Sequence, residues 1–203
     1  RSNPGGLLVG AVQIADELLD KGGIVSTRGR ALIGDSRFDA TPGDRLKGAP
    51  VVVLVDAGSA SAAEVLAGAL LDNRRARVVG SRTFGKGSVQ TLLPLDNGDS
   101  VKLTTARYYT PGGHSIQARG IVPDVVLRPE AGTGRGAPIS EAALPGHLQG
   151  EGEAMEGDNA GEVLPGPKPV DAALLELKKM AGGVARPATA APPAAARPHA
   201  KAQ

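Results

Sequence analysis

The fold of this chain is decided by residues 50–90, which read PVVVLVDAGSASAAEVLAGALLDNRRARVVGSRTFGKGSVQ. Residues 51–55 form an apolar, β-branched run of the length expected for a strand buried on both faces. A turn of small residues follows, and residues 62–71 then carry apolar side chains at helical spacing. A second strand over residues 77–80 leads into a glycine-flanked lysine, Lys86. The stretch therefore predicts a strand-helix-strand unit bounded by a serine turn and a lysine loop.

Upstream of this unit, the sequence predicts one helix and a few short strands. Apolar residues at helical spacing indicate a helix over residues 7–19, which a glycine pair ends. A short strand over residues 24–27 comes next. The polar loop after it carries a hairpin-like pair over residues 31–33 and 37–40.

Downstream of the lysine, the apolar period changes to two over residues 88–95, as expected for a strand. Asn97-Gly98 is a strong hairpin turn, and the return strand covers residues 101–109. A last short strand follows over residues 121–127. We therefore predict an α/β fold: a mixed sheet with flanking helices and an antiparallel hairpin at its edge.

Composition divides the chain into two parts. Residues 1–128 contain all of the predicted strands and the first two predicted helices, and we expect them to form one core domain. Ala, Pro, Gly and Glu dominate residues 129–203, which predicts a disordered, low-complexity tail because little apolar area is available to offset the ordering entropy. Within this tail, leucines at helical spacing predict a helix over residues 170–181. The chain opens without a Met start or a signal-like segment, so we expect an upstream part to precede it.

Charge and composition argue against several functional classes. Lys and Arg exceed Asp and Glu only slightly, 23 against 21, and aromatic residues make up 2% of the chain. Without a basic block or interleaved aromatics, a nucleic-acid partner is unsupported. The chain has no Cys, which removes disulfides and thiol catalysis. No apolar run approaches the ~18 residues that a membrane span needs.

The turn between the central strand and helix suggests nucleophilic catalysis by a serine. Ser59 and Ser61 are rival nucleophiles, and either could instead cap the helix by accepting backbone N–H groups. If Ser61 opens the helix, the N–H of Ala62 points into the same concavity as its hydroxyl. The Gly5-Gly6 turn could bring a second donor, and two such donors would form an oxyanion hole.

Lys86 is the candidate base. A free lysine titrates near ~10.4 and is charged at neutral pH, so the base must lie in an enclosed, apolar site to accept a proton. Phe84 and the two flanking glycines favour such packing, and Gln90, four residues on, is an uncharged amide that could orient the amine. A Ser-His-Asp triad would have to use His114, whose glycine-rich setting is more typical of a surface turn.

Two other kinds of site are not supported. Residues 80–86, GSRTFGK, match the first seven positions of a phosphate-binding P-loop. The next residue is Gly87 rather than the Ser or Thr that binds magnesium, and a strand rather than a helix follows. No His or carboxylate cluster has metal-ligand spacing, so we predict neither a metal nor a cofactor.

These residues resemble the carboxyl-terminal processing peptidases, or tail-specific serine proteases. Four blocks carry the resemblance: residues 3–7 (NPGGL), 58–70 (GSASAAEVLAGAL), 83–90 (TFGKGSVQ) and 103–112 (LTTARYYTPG). Together they extend over nearly all of the predicted core.

The resemblance implies a Ser/Lys dyad assisted by a glutamine. The family spacing places the nucleophile three residues before Glu64 and 25 before the lysine, which selects Ser61 and leaves Ser59 a supporting role. Lys86 becomes the general base and Gln90 its orienting partner. The oxyanion donors would be the N–H groups of two further residues: Ala62, together with Gly6 or, as the alternative, Gly5.

The implied function is that of a serine endopeptidase cutting protein or peptide C-terminal tails in the periplasm or cell envelope. The resemblance is also compatible with assembly of this chain into a homo-oligomer. It further implies a PDZ domain and a helical segment upstream of these residues. The alternative function is a catalytically inactive peptide-binding scaffold of the same fold.

Overall fold

The fold was analysed in a computed structural model, which describes residues 1–29, 35–128, 140–151 and 160–182. The described strands form two sheets. One is antiparallel with four strands, and the other is parallel with three. No described helix has the length and apolar character needed to cross a membrane.

The antiparallel sheet combines the N-terminal strands with the predicted hairpin. Helix α1 (Leu8–Leu18) precedes β1 (Gly23–Gly29), and β1 pairs on one side with β2 (Ser36–Asp39). On its other side, β1 pairs with β6 (Ser100–Tyr109), which pairs in turn with β5 (Ser88–Pro94). The strand order is therefore β2-β1-β6-β5, with β5 at an edge.

The parallel sheet contains the strand-helix-strand unit. Strand β3 (Val52–Val55) leads through a turn into helix α2 (Ala62–Asp72), which returns the chain to β4 (Arg77–Gly80) beside β3. Strand β7 (Val125–Val126) adds to the other side of β4. Crossovers of this kind bury the helix between layers.

Helix α2 joins the two sheets through the core. Its side chains pack against α1 and β1 on one side, and Ala67 packs with Val55 and Val78 of the parallel sheet. The largest fully buried hydrophobic side chains lie in β1, α2, β4 and the loop after β6: Ile24, Val65, Leu70, Val78, Val79 and Ile116. Because α2 starts at the serine turn, this packing fixes the turn relative to both sheets.

Within residues 129–203, two described stretches pack against the core. Helix α3 (Lys168–Gly182) contacts β3 and β4, and it covers the predicted helix over residues 170–181. Leu164 is only 4% exposed, and the short 3₁₀ helix Glu141–Ala143 lies ahead of it in sequence. The helix agrees with the expected one, whereas the burial of Leu164 and the contact of residues 140–151 with the core are not typical of a disordered, low-complexity tail. Residues 183–203, the end of the predicted tail, lie outside the described residues, and the boundary at residue 128 stays a prediction.

The predicted α/β fold class is confirmed, and most of the predicted elements form within a few residues of their expected limits. The position of the hairpin differs from the prediction of a single mixed sheet. Strand β6 pairs with β1 in a second sheet rather than with the parallel strands. The strand expected over residues 31–33 falls within residues 30–34, outside the described part. The last strand is shorter than expected, covering Val125–Val126.

Gly80, at the end of β4, lies so close to β3 that no side chain fits. Its φ is +144°, and a Cβ there would lie 1.9 Å from the carbonyl oxygen of Val55. We therefore expect Gly80→Ala to lower the free energy of unfolding by about 2 kcal/mol or more, measured by urea denaturation. The control is Gly10→Ala in α1, where a Cβ meets nothing within 4 Å and helix propensity favours alanine. Equal stabilities for the two variants would contradict this prediction.

Candidate active site

The turn between β3 and α2 presents Ser61 in an unusual backbone conformation. Ser61 is the N-cap residue of α2, with φ 57° and ψ −122°. A positive φ is uncommon for residues other than glycine and is maintained only where the surroundings enforce it. A serine on such a sharp strand-to-helix turn is the arrangement known as a nucleophile elbow. The side chain of Ser61 is half-buried.

Ser59, the rival serine, is used within the turn itself. It is 3% exposed, and its hydroxyl oxygen accepts the N–H of Asp56 at 3.2 Å. Its carbonyl oxygen accepts the N–H of Phe84, in the lysine loop, at 3.0 Å. Ser59 is therefore enclosed and shapes the turn, whereas Ser61 remains partly accessible.

The N-terminal segment packs directly against the serine turn. The N–H of Ala60 donates to the carbonyl of Asn3 at 2.9 Å. Gly5 has φ +91°, and a Cβ there would lie 2.9 Å from the nitrogen of Ala62 and 3.0 Å from the Cβ of Ser61. Only glycine fits at this position, so Gly5 lies directly against the serine turn.

The two glycines differ in what their N–H groups do. The N–H of Gly5 donates to Oδ1 of Asn3 at 3.0 Å. In the described part of the chain, no hydrogen bond is recorded for the N–H of Gly6 or of Ala62, which is the first residue of α2. The first N–H groups of a helix lack partners within the helix. Gly6 and Ala62 thus retain the donors that an oxyanion hole needs.

A buried carboxylate, that of Glu64, joins the serine turn to the lysine loop. Glu64 is 0% exposed. Its Oε2 accepts the N–H of Ser61 at 2.8 Å and the N–H of Lys86 at 2.9 Å. The two amide nitrogens are therefore no farther apart than the sum of these distances. Its Oε1 accepts the N–H of Gly85 at 2.7 Å and the hydroxyl of Thr83.

Burial of Glu64 raises its pKa from 4.5 to about 7. Desolvation is the main cause, because it disfavours the ionised carboxylate. The four hydrogen bonds from Thr83, Gly85, Ser61 and Lys86 act in the opposite direction and limit the rise. Glu64 therefore has hydrogen-bond donors that stabilise its ionised form, and its pKa lies near neutral pH.

Lys86 lies in a loop that two glycines allow to pack closely. Gly85 has φ +96°, and a Cβ at Gly87 would lie 2.2 Å from the nitrogen of Gln117. The side chain of Lys86 is half-buried, and it forms no ion pair among the described residues. Within the same residues, no hydrogen bond joins its amine to the Ser61 hydroxyl. Catalytic hydrogen bonds are often longer in structures without substrate.

The remaining candidates, Gln90 and His114, have exposed side chains. Gln90 is exposed on β5, just after the irregularity between Val89 and Gln90 in the β5–β6 register. His114 is exposed in the turn after β6, as expected for a surface histidine. Among the described residues, no group of three His, Cys, Asp or Glu side chains could hold a metal ion.

Sequence reasoning did not assign a role to Glu64 beyond its place in a family motif. The signal was present, because a Glu three residues after an N-cap serine is the capping-box pattern. Its bonds to Thr83, Gly85 and Lys86 have no such local signal, since 19 to 22 residues separate the partners. Gln117, which contacts the lysine loop, was also missed.

The raised pKa of Glu64 predicts a pH-dependent contribution to stability. Between pH 4.5 and about 7 the folded state holds a proton on Glu64 that the unfolded chain has lost. The contribution is therefore largest below pH 4.5 and declines as the pH rises through about 7. The unfolding free energy of the parent minus that of Glu64→Gln should fall over this window, as measured by urea denaturation at several pH values. Glu162→Gln, at an exposed site, is the matched control; a flat difference for Glu64→Gln would refute the assignment.

Comparison with known proteins places these features in a family. Residues 1–127 match the family model described as peptidase family S41. The carboxy-terminal-processing protease of Bartonella bacilliformis is 46% identical over 186 residues, covering 90% of this chain and 43% of that protein. The carboxyl-terminal-processing protease of Picosynechococcus sp. is 48% identical over 130 residues, covering 64% of this chain and 31% of that protein.

A solved structure shares the fold. The photosystem II D1 C-terminal processing protease superposes with a TM-score of 0.58 at 43% identity, covering 64% of this chain and 33% of that one. The chain thus spans less than half the length of each of these relatives. The family model covers well over half of the chain, and it includes the serine turn, Glu64 and the lysine loop. On this evidence the chain belongs to peptidase family S41.

Proposed function

We propose that this chain is the catalytic core of a serine endopeptidase that cleaves protein substrates near their C-termini through an acyl-enzyme. The observation that carries the proposal is the shared oxygen of Glu64. By accepting the backbone N–H groups of both Ser61 and Lys86, it brings together the two backbone segments that carry the proposed nucleophile and the proposed base. The similarity to carboxy-terminal-processing proteases supports the substrate class.

In the first step, the Ser61 hydroxyl attacks the scissile carbonyl carbon while the Lys86 amine takes the hydroxyl proton. The negative charge that develops on the carbonyl oxygen is stabilised by the N–H groups of Ala62 and Gly6. A donor of this kind contributes on the order of 3 kcal/mol to transition-state stabilisation. We prefer Gly6 to Gly5 because the N–H of Gly5 already donates to Asn3.

In the second step, the carbon–nitrogen bond breaks and Lys86 returns the proton to the leaving amine. The product is an ester between Ser61 and the N-terminal part of the substrate. Lys86 then accepts a proton from water, whose oxygen attacks the ester carbonyl carbon. The bond between that carbon and the Ser61 oxygen breaks, and Lys86 returns the proton to Ser61 as the carboxylic acid product leaves. The base must be uncharged at the start of each half-reaction, and Gln90 is proposed to orient it.

The family resemblance is also the basis for a proposed cellular location and a proposed partner. We place the protein in the periplasm or cell envelope, with protein or peptide C-terminal tails as its substrates. Detection of the protein and its cleavage products in a periplasmic fraction would test this location. Self-association into a homo-oligomer stays a prediction, testable by sedimentation.

Substitution of the dyad tests the mechanism. We expect Ser61→Ala, Lys86→Ala and Lys86→Arg each to lower kcat on fluorescently labelled β-casein by at least about 10⁴-fold. Lys86→Arg is the sharpest of these, because a guanidinium keeps the positive charge but does not lose its proton. The exposed Lys47→Ala is the matched control and should retain full activity.

Two outcomes would overturn the assignment. Turnover by Lys86→Arg would exclude Lys86 as the base, and loss of turnover in Ser59→Ala but not Ser61→Ala would exchange the serines. If the protein binds a tail peptide, as measured by fluorescence anisotropy, but does not cleave it, the scaffold function is the correct one.

Substrate docking is proposed to use the free edge of the antiparallel sheet. Strand β5 is an edge strand among the described residues, and it begins at Ser88, two residues after Lys86. A peptide added to this edge would bind through its backbone, which tolerates varied side chains. Scanning a bound peptide with proline should abolish binding at alternate positions, because proline lacks the N–H that pairs with the strand. Indifference to proline at every position would exclude this mode.

A further inference from the structure

Gln117 is a fully buried amide that no part of the proposed mechanism uses. It lies in the loop after β6 and is 0% exposed. Its Oε1 accepts the N–H of Gly87 at 3.0 Å. Its Nε2 donates to the carbonyl oxygen of Leu148 at 2.9 Å and to Oε1 of Glu141 at 3.2 Å. The amide orientation is fixed chemically, since the reverse placement would set an NH₂ group against the N–H of Gly87.

These bonds hold the backbone on both sides of Lys86. Gln117 binds the N–H of Gly87, and the next residue, Ala118, donates its N–H to the carbonyl of Gly85 at 2.8 Å. A Cβ at Gly87 would lie 2.2 Å from the nitrogen of Gln117, so the two backbones are in direct contact. The position of the lysine is therefore set from one side by Glu64 and from the other by this loop.

The second end of the Gln117 amide binds residues 140–151, which we call the clasp segment. Besides the two bonds from Gln117, the N–H of Glu141 donates to the carbonyl of Phe84 at 3.0 Å. Gly150 packs so closely that a Cβ there would lie 2.8 Å from the carbonyl oxygen of Gln117. The clasp segment thus contacts the lysine loop directly and through Gln117.

We propose that Gln117 is a positioning residue for the reaction, and that through it docking of the clasp segment sets the geometry of the Lys86 loop. Loss of the clasp removes both acceptors of the Gln117 Nε2 group, so the side chain that accepts the N–H of Gly87 is no longer held in place. The proposal rests on the proposed function only in its prediction for catalysis. The structural coupling stands on the contacts alone.

Three variants separate the two ends of the amide. Gln117→Glu keeps an acceptor for Gly87 but loses the donors to Leu148 and places a carboxylate beside Glu141. Gln117→Met has similar size and removes both ends. Gly150→Ala forces the clasp segment away without changing Gln117.

Two control variants make the same kinds of change at sites outside the loop of Gln117 and outside the clasp segment. Gln13→Glu makes the same chemical change at an exposed site on α1, and Gly182→Ala adds a Cβ where nothing lies within 4 Å.

The structural measurement is amide hydrogen exchange in the 203-residue chain. We expect exchange in the clasp segment to become at least tenfold faster in all three variants. The Gly87 amide should lose protection in Gln117→Met and keep most of it in Gln117→Glu. Exchange in α1 should stay unchanged in every variant, and both controls should match the parent. Equal acceleration across α1 and the clasp segment, or an unchanged Gly87 amide in Gln117→Met, would overturn the proposal.

The catalytic measurement separates positioning from substrate binding. With labelled β-casein, we expect kcat to fall on the order of 10- to 100-fold in Gln117→Met and Gly150→Ala, while KM changes less than about threefold, as a small displacement of the base would produce. Unchanged kcat in both variants would overturn the positioning role. If the parent chain does not cleave casein, the proposed function fails, and the exchange measurement still decides whether Gln117 couples the clasp segment to the lysine loop.

Discussion

The arrangement of this site depends on one buried carboxylate. Glu64 receives three backbone N–H groups and one hydroxyl from two segments that are about 20 residues apart in sequence. Placing a carboxylate in the interior is costly, and only several well-directed donors make it tolerable. Because those donors include the amides of Ser61 and Lys86, satisfying the carboxylate also sets the serine turn and the lysine loop beside each other.

The same constraint explains the unusual backbone around the turn. Ser61 keeps a positive φ because its N–H is directed to Glu64, while its carbonyl accepts the N–H groups of the first helical turn. Gly5 then fits against the turn only because it lacks a side chain. The backbone conformation of Ser61 and the close contact of Gly5 are thus maintained because α2 is packed between the two sheets. Such over-determined geometry is typical of functional sites.

Much of the fold could be predicted because its signals are local. Helical periods located α1 and α2, the short strand stretches at residues 51–55 and 77–80 located β3 and β4, and the period of two with the Asn97-Gly98 turn located β5 and β6. The pairing of β6 with β1 had no local signal, since the paired residues are nearly 80 positions apart in the sequence. Likewise, composition predicted a disordered, low-complexity tail after residue 128, with a helix over residues 170–181 as its one ordered element. The burial of Leu164 and the bonds of the clasp segment depend on what those residues meet in space.

The sequence by itself determined the secondary structure, the identity of the serine and lysine candidates and the family resemblance. Each of these is encoded by residue type and spacing along the chain. Tertiary structure decided which groups surround the candidates: the carboxylate between Ser61 and Lys86, the enclosure of Ser59, and the amide of Gln117 behind the lysine loop. The reason is physical, because a buried hydrogen bond between distant segments depends on packing and leaves no periodic mark in the sequence.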